Sequence, residues 1–410
     1  MVIALGMLSN GEITIAMEVL RRIRDEESEI CFVLHEKMSK QVIANGFPVY
    51  LINGNSPQEN KKCFQEAVKD FKPDLLLCAD VFTMDFSSTW SGIGLEELKA
   101  TGIPVGTFDE YEWESTHFIQ DFTGIPMQIR GELITDCDFL VRPCPVNRPE
   151  ILDNKKVINC SLFDVDGLLL SYQEDIKNKA KWRESLGIPE NSKVVMIVNS
   201  TWEYVEVGRS FESGRLIEWI PRIIHNYLCA LNEPITVLHV GGKEWSFADK
   251  SRIDYRHFVS LNPVDYNRMI NCVDLFCGTN LISVTLSRAV LCGVPVVLFQ
   301  NEKCMDFNKL SSIMGKMPEW YQQMAKDVKK VLPFKVFPWG WYRFLEPVMK
   351  NNGYDELIDR APIFQPKKSI EVLRRNLFDK THMEQINTKR DAYIESLDSL
   401  PSPSKIWELI

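Results

Sequence analysis

Long apolar runs are missing from this 410-residue chain. No stretch reaches the ~18–20 apolar residues that a bilayer span requires, so no integral membrane segment is expected. An excess of basic charge is missing too, the formal net charge being -9. Non-specific nucleic-acid binding draws most of its affinity from Lys and Arg on phosphates, so no nucleic-acid partner is expected, although net charge does not report on local patches. The eleven cysteines form no C-x-x-C pair, and many sit in apolar runs, as Cys31, Cys78, Cys277 and Cys292 do. That pattern excludes a disulfide framework and structural zinc, and it suits free buried thiols in a reducing, cytoplasmic compartment. The opening MVIALGM carries no basic leader, and its apolar run is too short for a signal peptide, so it reads as a first strand. Fixed-period repeats and low-complexity linkers are also lacking.

What is present is the balance of a globular protein, with 45% hydrophobic and 25% charged residues. The length exceeds one ordinary core, which predicts two domains. Strand and helix signals alternate from the start: VIALGM, then ITIAMEVLRRIRDE with Ile15, Val19, Leu20 and Ile23 at helical spacing, then EICFVLH and FPVYLI as strands. A helix through KKCFQEAVKDF stops at Lys72-Pro73, DLLLCAD follows as a strand, LEELKATG as a short helix, and IPVGTF as a fifth strand. A second series opens at KVVMIVNST and runs through LIEWIPRIIHNYLCALN, ITVLHVGG, RHFVSL and PVDYNRMINCV to VDLFCGTNLISVTLSRAVLCGVPVVLF. Such alternation predicts an α/β chain of two Rossmann-like, doubly wound parallel sheets facing a cleft. The expected units are 1–165, 166–380 with an aromatic-rich insertion at 300–368, and a C-terminal helical segment, 381–410. In each unit the loops after the strands form one edge, where ligands bind.

Val264–Phe299 resembles the donor-binding motif of GT-B glycosyltransferases: a helix, a strand with Asp274 near its start, a polar loop and helix, then Gly293-Val-Pro-Val-Val297. The opening VIALGMLSNGEITIAMEVLRRI is similar to that superfamily's first strand and glycine loop, with Gly11-Glu12 where Gly-His is common. The last helix, ending in Leu400-Pro401-Ser402, resembles the one that returns to brace the first domain. The resemblance covers the layout of most of the chain. It implies a nucleotide-sugar donor held by the second domain and an acceptor held by the first.

In that setting the start of the helix after Gly278 suits a diphosphate, because its unpaired N–H groups and roughly half a positive charge attract an anion. Thr279, Asn280 and Ser283 add donors there, or else serve as ordinary N-caps. Arg288 departs from the pattern. It stands where sugar-nucleotide transferases usually carry a Glu that accepts from ribose hydroxyls, and a guanidinium has donors alone. Arg288 therefore grips a carboxylate or phosphate on the ligand, or makes a surface ion pair. Asn199, Ser200 and Thr201 after one strand, and Gly241, Gly242 and Lys243 after another, offer further phosphate contacts or plain turns.

For chemistry, Glu12 reads as a general base toward an acceptor hydroxyl, or as a first-turn acid favoured by the helix dipole. FDEYEWES places Asp109, Glu110, Glu112 and Glu114 in one loop, which is either solvated or directs Asp109 or Glu110 at the acceptor with help from His117. That loop holds no Asp-x-Asp, so no metal site is expected. The other histidines lack metal-ligand spacing, and His239 reads as a hydrogen-bonded core residue. Phe334 and Phe337 read as packing, whereas Trp339, Trp341 and Tyr342 either pack an insertion or line the cleft. The expected activity is metal-independent transfer of a sugar from a nucleotide sugar to a small-molecule or peptide acceptor, with no cofactor beyond that co-substrate. A nucleotide-sugar hydrolase or epimerase of the same fold, and a binding protein without catalysis, remain as alternatives.

Overall fold

Seven short apolar runs assemble into the first sheet of the computed structural model: β1 (Val2–Gly6), β2 (Ile30–His35), β3 (Val49–Ile52), β4 (Leu75–Cys78), β5 (Val105–Phe108), β6 (Phe139–Cys144) and β7 (Val157–Ser161). The described residues are 2–6, 10–24, 28–52, 56–115, 119–121, 126–128, 132–152, 154, 156–199, 211–331 and 341–409. The order is β3-β2-β1-β4-β5-β6-β7, and every pairing is parallel. Strands β1, β4, β5, β6 and β7 are buried along their whole length, which is why they read as continuous apolar runs and not as alternating ones.

Six further strands build the second sheet: β8 (Lys193–Asn199), β9 (Ile235–Gly241), β10 (Asp254–Phe258), β11 (Leu275–Gly278), β12 (Val296–Gln300) and β13 (Asp359–Pro362). Their order, β10-β9-β8-β11-β12-β13, is again fully parallel. Side chains alternate across this sheet with the strand period: Val194 and Met196 enter the core shared with the first sheet, while Val195 and Ile197 enter a second core on the opposite face.

The helices that matter for function are α1 (Asn10–Ile23), α2 (Val81–Ser91), α3 (Val165–Lys177), α4 (Val284–Leu291) and α5 (Lys380–Asp398). Helix α5 and the turn at Pro403–Leu409 return to the first sheet, the turn packing on α1 and β7. Tyr393 of α5 donates its hydroxyl to the Pro145 carbonyl at 3.2 Å, and Asn352 Nδ2 donates to the Val146 carbonyl at 2.9 Å. Gly293 follows α4 at φ +73°, a backbone conformation that favours glycine, and lies against the Arg390 guanidinium of α5. Among the described residues, no helix is long and apolar enough to cross a membrane.

Two strands of the first sheet, β6 and β7, and helix α2 extend the five-strand pattern read from the sequence. Helix α2 is apolar with interspersed Ser and Thr, so it lacks the one-sided periodicity that marks a surface helix. Strand β13 lies within the segment where the alternation breaks down in the sequence.

Candidate active site

In the first sheet the chain turns opposite ways from β1 and β4, so the crevice at their carboxyl ends is the topological switch point. Helix α1 enters close beneath it. A Cβ on Gly6 would lie 1.8 Å from Ile13 Cδ1, so any larger residue where β1 ends would displace the buried Ile13 side chain. Glu12 sits in the first turn of α1, and Asp80 caps α2 by accepting the Thr83 backbone N–H at 2.8 Å. The Thr83 hydroxyl donates to Glu12 Oε2 at 2.9 Å, so one threonine ties the two acids together.

Glu110, at the end of β5, completes the cluster. Glu12, Asp80 and Glu110 are all buried. Burial pushes the Asp80 carboxyl up to about 6, against the opposing hydrogen bonds from Thr83 and Phe82. Burial raises Glu110 well above the carboxylate range, with further upward pushes from Asp80, Glu12 and Asp109 and partial relief from the Tyr111 hydroxyl. Among the described residues, Glu110 Oε1 has no hydrogen-bond partner. The arrangement places carboxyls of unequal proton affinity side by side, which is what acid–base chemistry uses.

Asp109 has a different post. It is fully buried, receives Arg142 Nε at 2.7 Å and the Trp113 N–H at 2.9 Å, and its carbonyl accepts from Asn147 at 2.9 Å. Its carboxylate anchors the 109–115 loop rather than facing an acceptor. Glu112, at φ +48°, accepts from Arg148 at 3.1 Å, and Glu114 lies 3.5 Å from Arg142. The acidic loop is thus an ion-pair web around the buried Arg142, with Glu114 at its exposed rim and Glu110 standing apart. His117 falls outside the described residues.

In the second unit the switch point lies between β8 and β11. Thr279 is buried, Asn280 Oδ1 accepts the Ile282 N–H at 3.1 Å, and Ser283 occupies the N-cap of α4 without a side-chain capping bond. Capping does not use the Ser283 hydroxyl, so the first turn of α4 keeps its anion-attracting N–H groups. Gly278 leads into this loop with ordinary contacts around it. Next door, Gly241 and Gly242 both have positive φ, and a Cβ on Gly241 would lie 2.2 Å from the Asn199 carbonyl. Asn199 Oδ1 accepts from His239 Nε2 at 3.0 Å, and His239 Nδ1 accepts from the Tyr255 hydroxyl at 2.8 Å. Burial and the neighbouring His257 lower His239 to about 3, so the ring is neutral. Lys243 is exposed, and Ser200 and Thr201 lie outside the described residues.

Arg288 reaches across to the first unit. Its Nη2 is 3.4 Å from Glu18 Oε1 on α1, and its guanidinium stacks over Phe163 at 5.1 Å from the ring centroid. The cation standing at the usual ribose-acid position therefore joins the two units. The two switch points share a wall: Glu110, Tyr111 and Pro145 face Ile282, Val284 and Ser287 around a cavity of about 20 Å³. That is room for about one water.

Asp80, Thr83 and Tyr111 are site residues that pattern reading passes over. The signal for Asp80 was an acid directly after a buried strand, LLLCAD. Of the aromatic segment, Phe334, Phe337 and Trp339 lie outside the described residues, and Trp341 and Tyr342 open a helix at 341–349. Among the described residues, no group of three or more His, Cys, Asp or Glu is arranged to hold a metal ion.

The profile of one family of unknown function matches residues 19–410. No curated protein matches the chain in sequence. Solved structures do match it in shape. The UDP-GlcNAc 2-epimerase from Neisseria meningitidis, bound to UDP-GlcNAc, aligns with a TM-score of 0.52 and 12% identity, covering 97% of this chain and 99% of that one. A putative UDP-N-acetylglucosamine 2-epimerase from Listeria monocytogenes gives 0.53 and 11%, over 98% and 91%. The spinosyn forosaminyltransferase gives 0.53 and 12%, over 99% and 96%. At such identities the likeness is one of fold, and the fold is GT-B.

Proposed function

Because the chain belongs to DUF6365, a family of unknown function, its activity has to be read from its own site, and we propose that it transfers a sugar from a nucleotide sugar to an acceptor hydroxyl. The observation that carries this reading is the shared cavity, where Glu110 of the first switch point meets Ile282 and Val284 beside the second. One carboxyl of the cluster, Glu110, and the first residue of α4, Val284, thus border one small space. Structural neighbours that bind UDP-GlcNAc or transfer forosamine support the substrate class. In this reading residues 1–165 form the acceptor unit, 166–380 the donor unit, and 381–410 the brace.

The diphosphate sits at the start of α4, against its backbone N–H groups and the hydroxyls of Thr279 and Ser283. Gly241 and Gly242 let backbone approach the nucleotide. Glu12, held by the Thr83 hydroxyl, takes the proton of the acceptor hydroxyl. The acceptor oxygen then forms its bond to the anomeric carbon while the carbon–oxygen bond to phosphate breaks. The electron pair leaves with the nucleoside diphosphate, whose charge is met by the helix N-terminus without a resident cofactor.

A second reading has its own support. Burial holds Asp80 at about 6 and raises Glu110 well above its ordinary value, so the cluster gathers carboxyls that readily hold a proton. Such a cluster suits a nucleotide-sugar epimerase, which removes and returns a proton at carbon, or a hydrolase. Incubation with a panel of nucleotide sugars, followed by ³¹P and ¹H NMR, separates the outcomes. Nucleoside diphosphate released in step with a glycosylated acceptor is transfer. Deuterium gained at a sugar carbon in D₂O is epimerisation. Ligand-induced shifts without turnover would leave a binding protein.

A further inference from the structure

We propose that the contact between α1 and α4 is a proton-operated latch: the two units close there while Glu110 carries its proton, and they part as it ionises. The latch concerns the arrangement of the units and holds whichever reaction the cleft carries out. Ile15 of α1 and Val284 and Ser287 of α4 line the cavity of about 20 Å³, and Glu110 lies in its wall. Apart from Glu110, Tyr111 and Ser287, the lining consists of aliphatic side chains and prolines. Glu110 is 5% exposed, and its Oε1 has no hydrogen-bond partner among the described residues. The polar group that α4 brings is already engaged, the Ser287 hydroxyl lying 3.1 Å from that of Tyr354.

The surroundings of Glu110 favour its neutral form. Burial, and then Asp80 at the start of α2, Glu12 of α1 and the adjoining Asp109, push its carboxyl up, while the Tyr111 hydroxyl opposes them. The guanidinium groups beside the lining are committed elsewhere. Arg142, next to Pro143, holds Asp109 at 2.7 Å, and Arg288, next to Ser287, holds Glu18 at 3.4 Å. Room for about one water does not hydrate an anion, so an ionised Glu110 needs the wall to open to solvent. One part of that wall is anchored, because the Pro145 and Val146 carbonyls accept from Tyr393 and Asn352. The side that gives is therefore α4 against α1, where Ile15 meets Val284. The Arg288–Glu18 pair lies about one turn further along both helices and limits the opening. The sign follows from linkage. A carboxyl raised in the closed arrangement favours closure fully below its ordinary value of 4.5, and that preference is lost as pH rises through the raised value.

Small-angle X-ray scattering on the full chain between pH 5 and pH 9 tests the latch, with far-UV circular dichroism at each pH to register unfolding. At pH 5 the wild-type radius of gyration should lie near the roughly 22 Å of a compact 410-residue chain. At pH 9 it should be larger, with ellipticity unchanged. Glu110→Gln stands in for the neutral carboxyl and should keep the compact value throughout. Asp80→Asn removes one upward push on Glu110, so its transition should persist with a midpoint at lower pH. A wild-type radius that does not change overturns the latch, as does an equal rise in Glu110→Gln or a rise that comes with lost ellipticity. Should Glu110→Gln fail to fold, Asp80→Asn decides, because an unmoved midpoint or an abolished transition assigns the change to another group and overturns the proposal.

Discussion

The hydroxyl of Thr83 donates to Glu12 Oε2 at 2.9 Å, across 71 positions of sequence, and fixes the carboxylate of α1 against the first turn of α2. This bond holds Glu12 in place rather than leaving it a solvated first-turn acid, as the proposed role of base requires. Glu12→Gln keeps the shape and removes proton acceptance, so turnover should fall by roughly 100-fold or more. Thr83→Val should lower turnover less, because the base remains and its orientation loosens. Rate and melting temperature measured on the same variants decide the matter. A near-normal rate in Glu12→Gln would move the base to Asp80 or Glu110.

Asp80 sets a pH dependence of stability. Its folded carboxyl titrates at about 6, above its ordinary value of 3.8. Between those values the folded state binds more protons than the unfolded one, so this group's contribution to stability declines as pH rises from about 4 to about 6. Asp80→Asn keeps an N-cap of equal quality and removes the titration. Relative to wild type, the variant should gain stability over that window. Urea unfolding at pH 4.5 and pH 7 measures the difference, and an equal gap at both pH values would refute it.

Arg142 and Asp109 form a buried pair at 2.7 Å, with Arg142 side-chain exposure of 8% and Asp109 of 0%. Arg142→Met leaves a buried carboxylate without its partner and should cost about 3–5 kcal/mol in chemical denaturation. The double variant with Asp109→Asn should recover part of that loss. Additive costs in the cycle would show that the pair is not coupled.

Nucleotide affinity should depend on the start of α4. Replacing Thr279 and Ser283 together by Ala should weaken UDP binding by about 1–3 kcal/mol, the scale of hydrogen bonds to a charged group. Calorimetry on the folded variant checks this, and unchanged affinity would remove these hydroxyls from the phosphate site.

Local chemistry determined much of the fold. Continuous apolar runs such as LLLC can be satisfied in a sheet buried on both faces. Lys72-Pro73 stops a helix because proline disfavours helical backbone before it, and Gly293 supplies the positive φ that ends α4. Those constraints act over a few residues, so the doubly wound layout and the carboxyl-edge loops are legible from the chain alone. Strand β6 carries Arg142 and Pro143 inside its apolar run, which blurs its strand signal, and α2 lacked one-sided periodicity. The site depended on contacts between distant residues. Arg288 reads equally as a ligand clamp and as a surface ion pair until Glu18, 270 positions away, is found 3.4 Å from it. Asp109 and Glu110 are adjacent acids, yet Arg142 beside one and an unpartnered buried oxygen on the other give them separate roles. Proton affinity follows desolvation and neighbouring charge, and both are set by which segments the tertiary structure packs together.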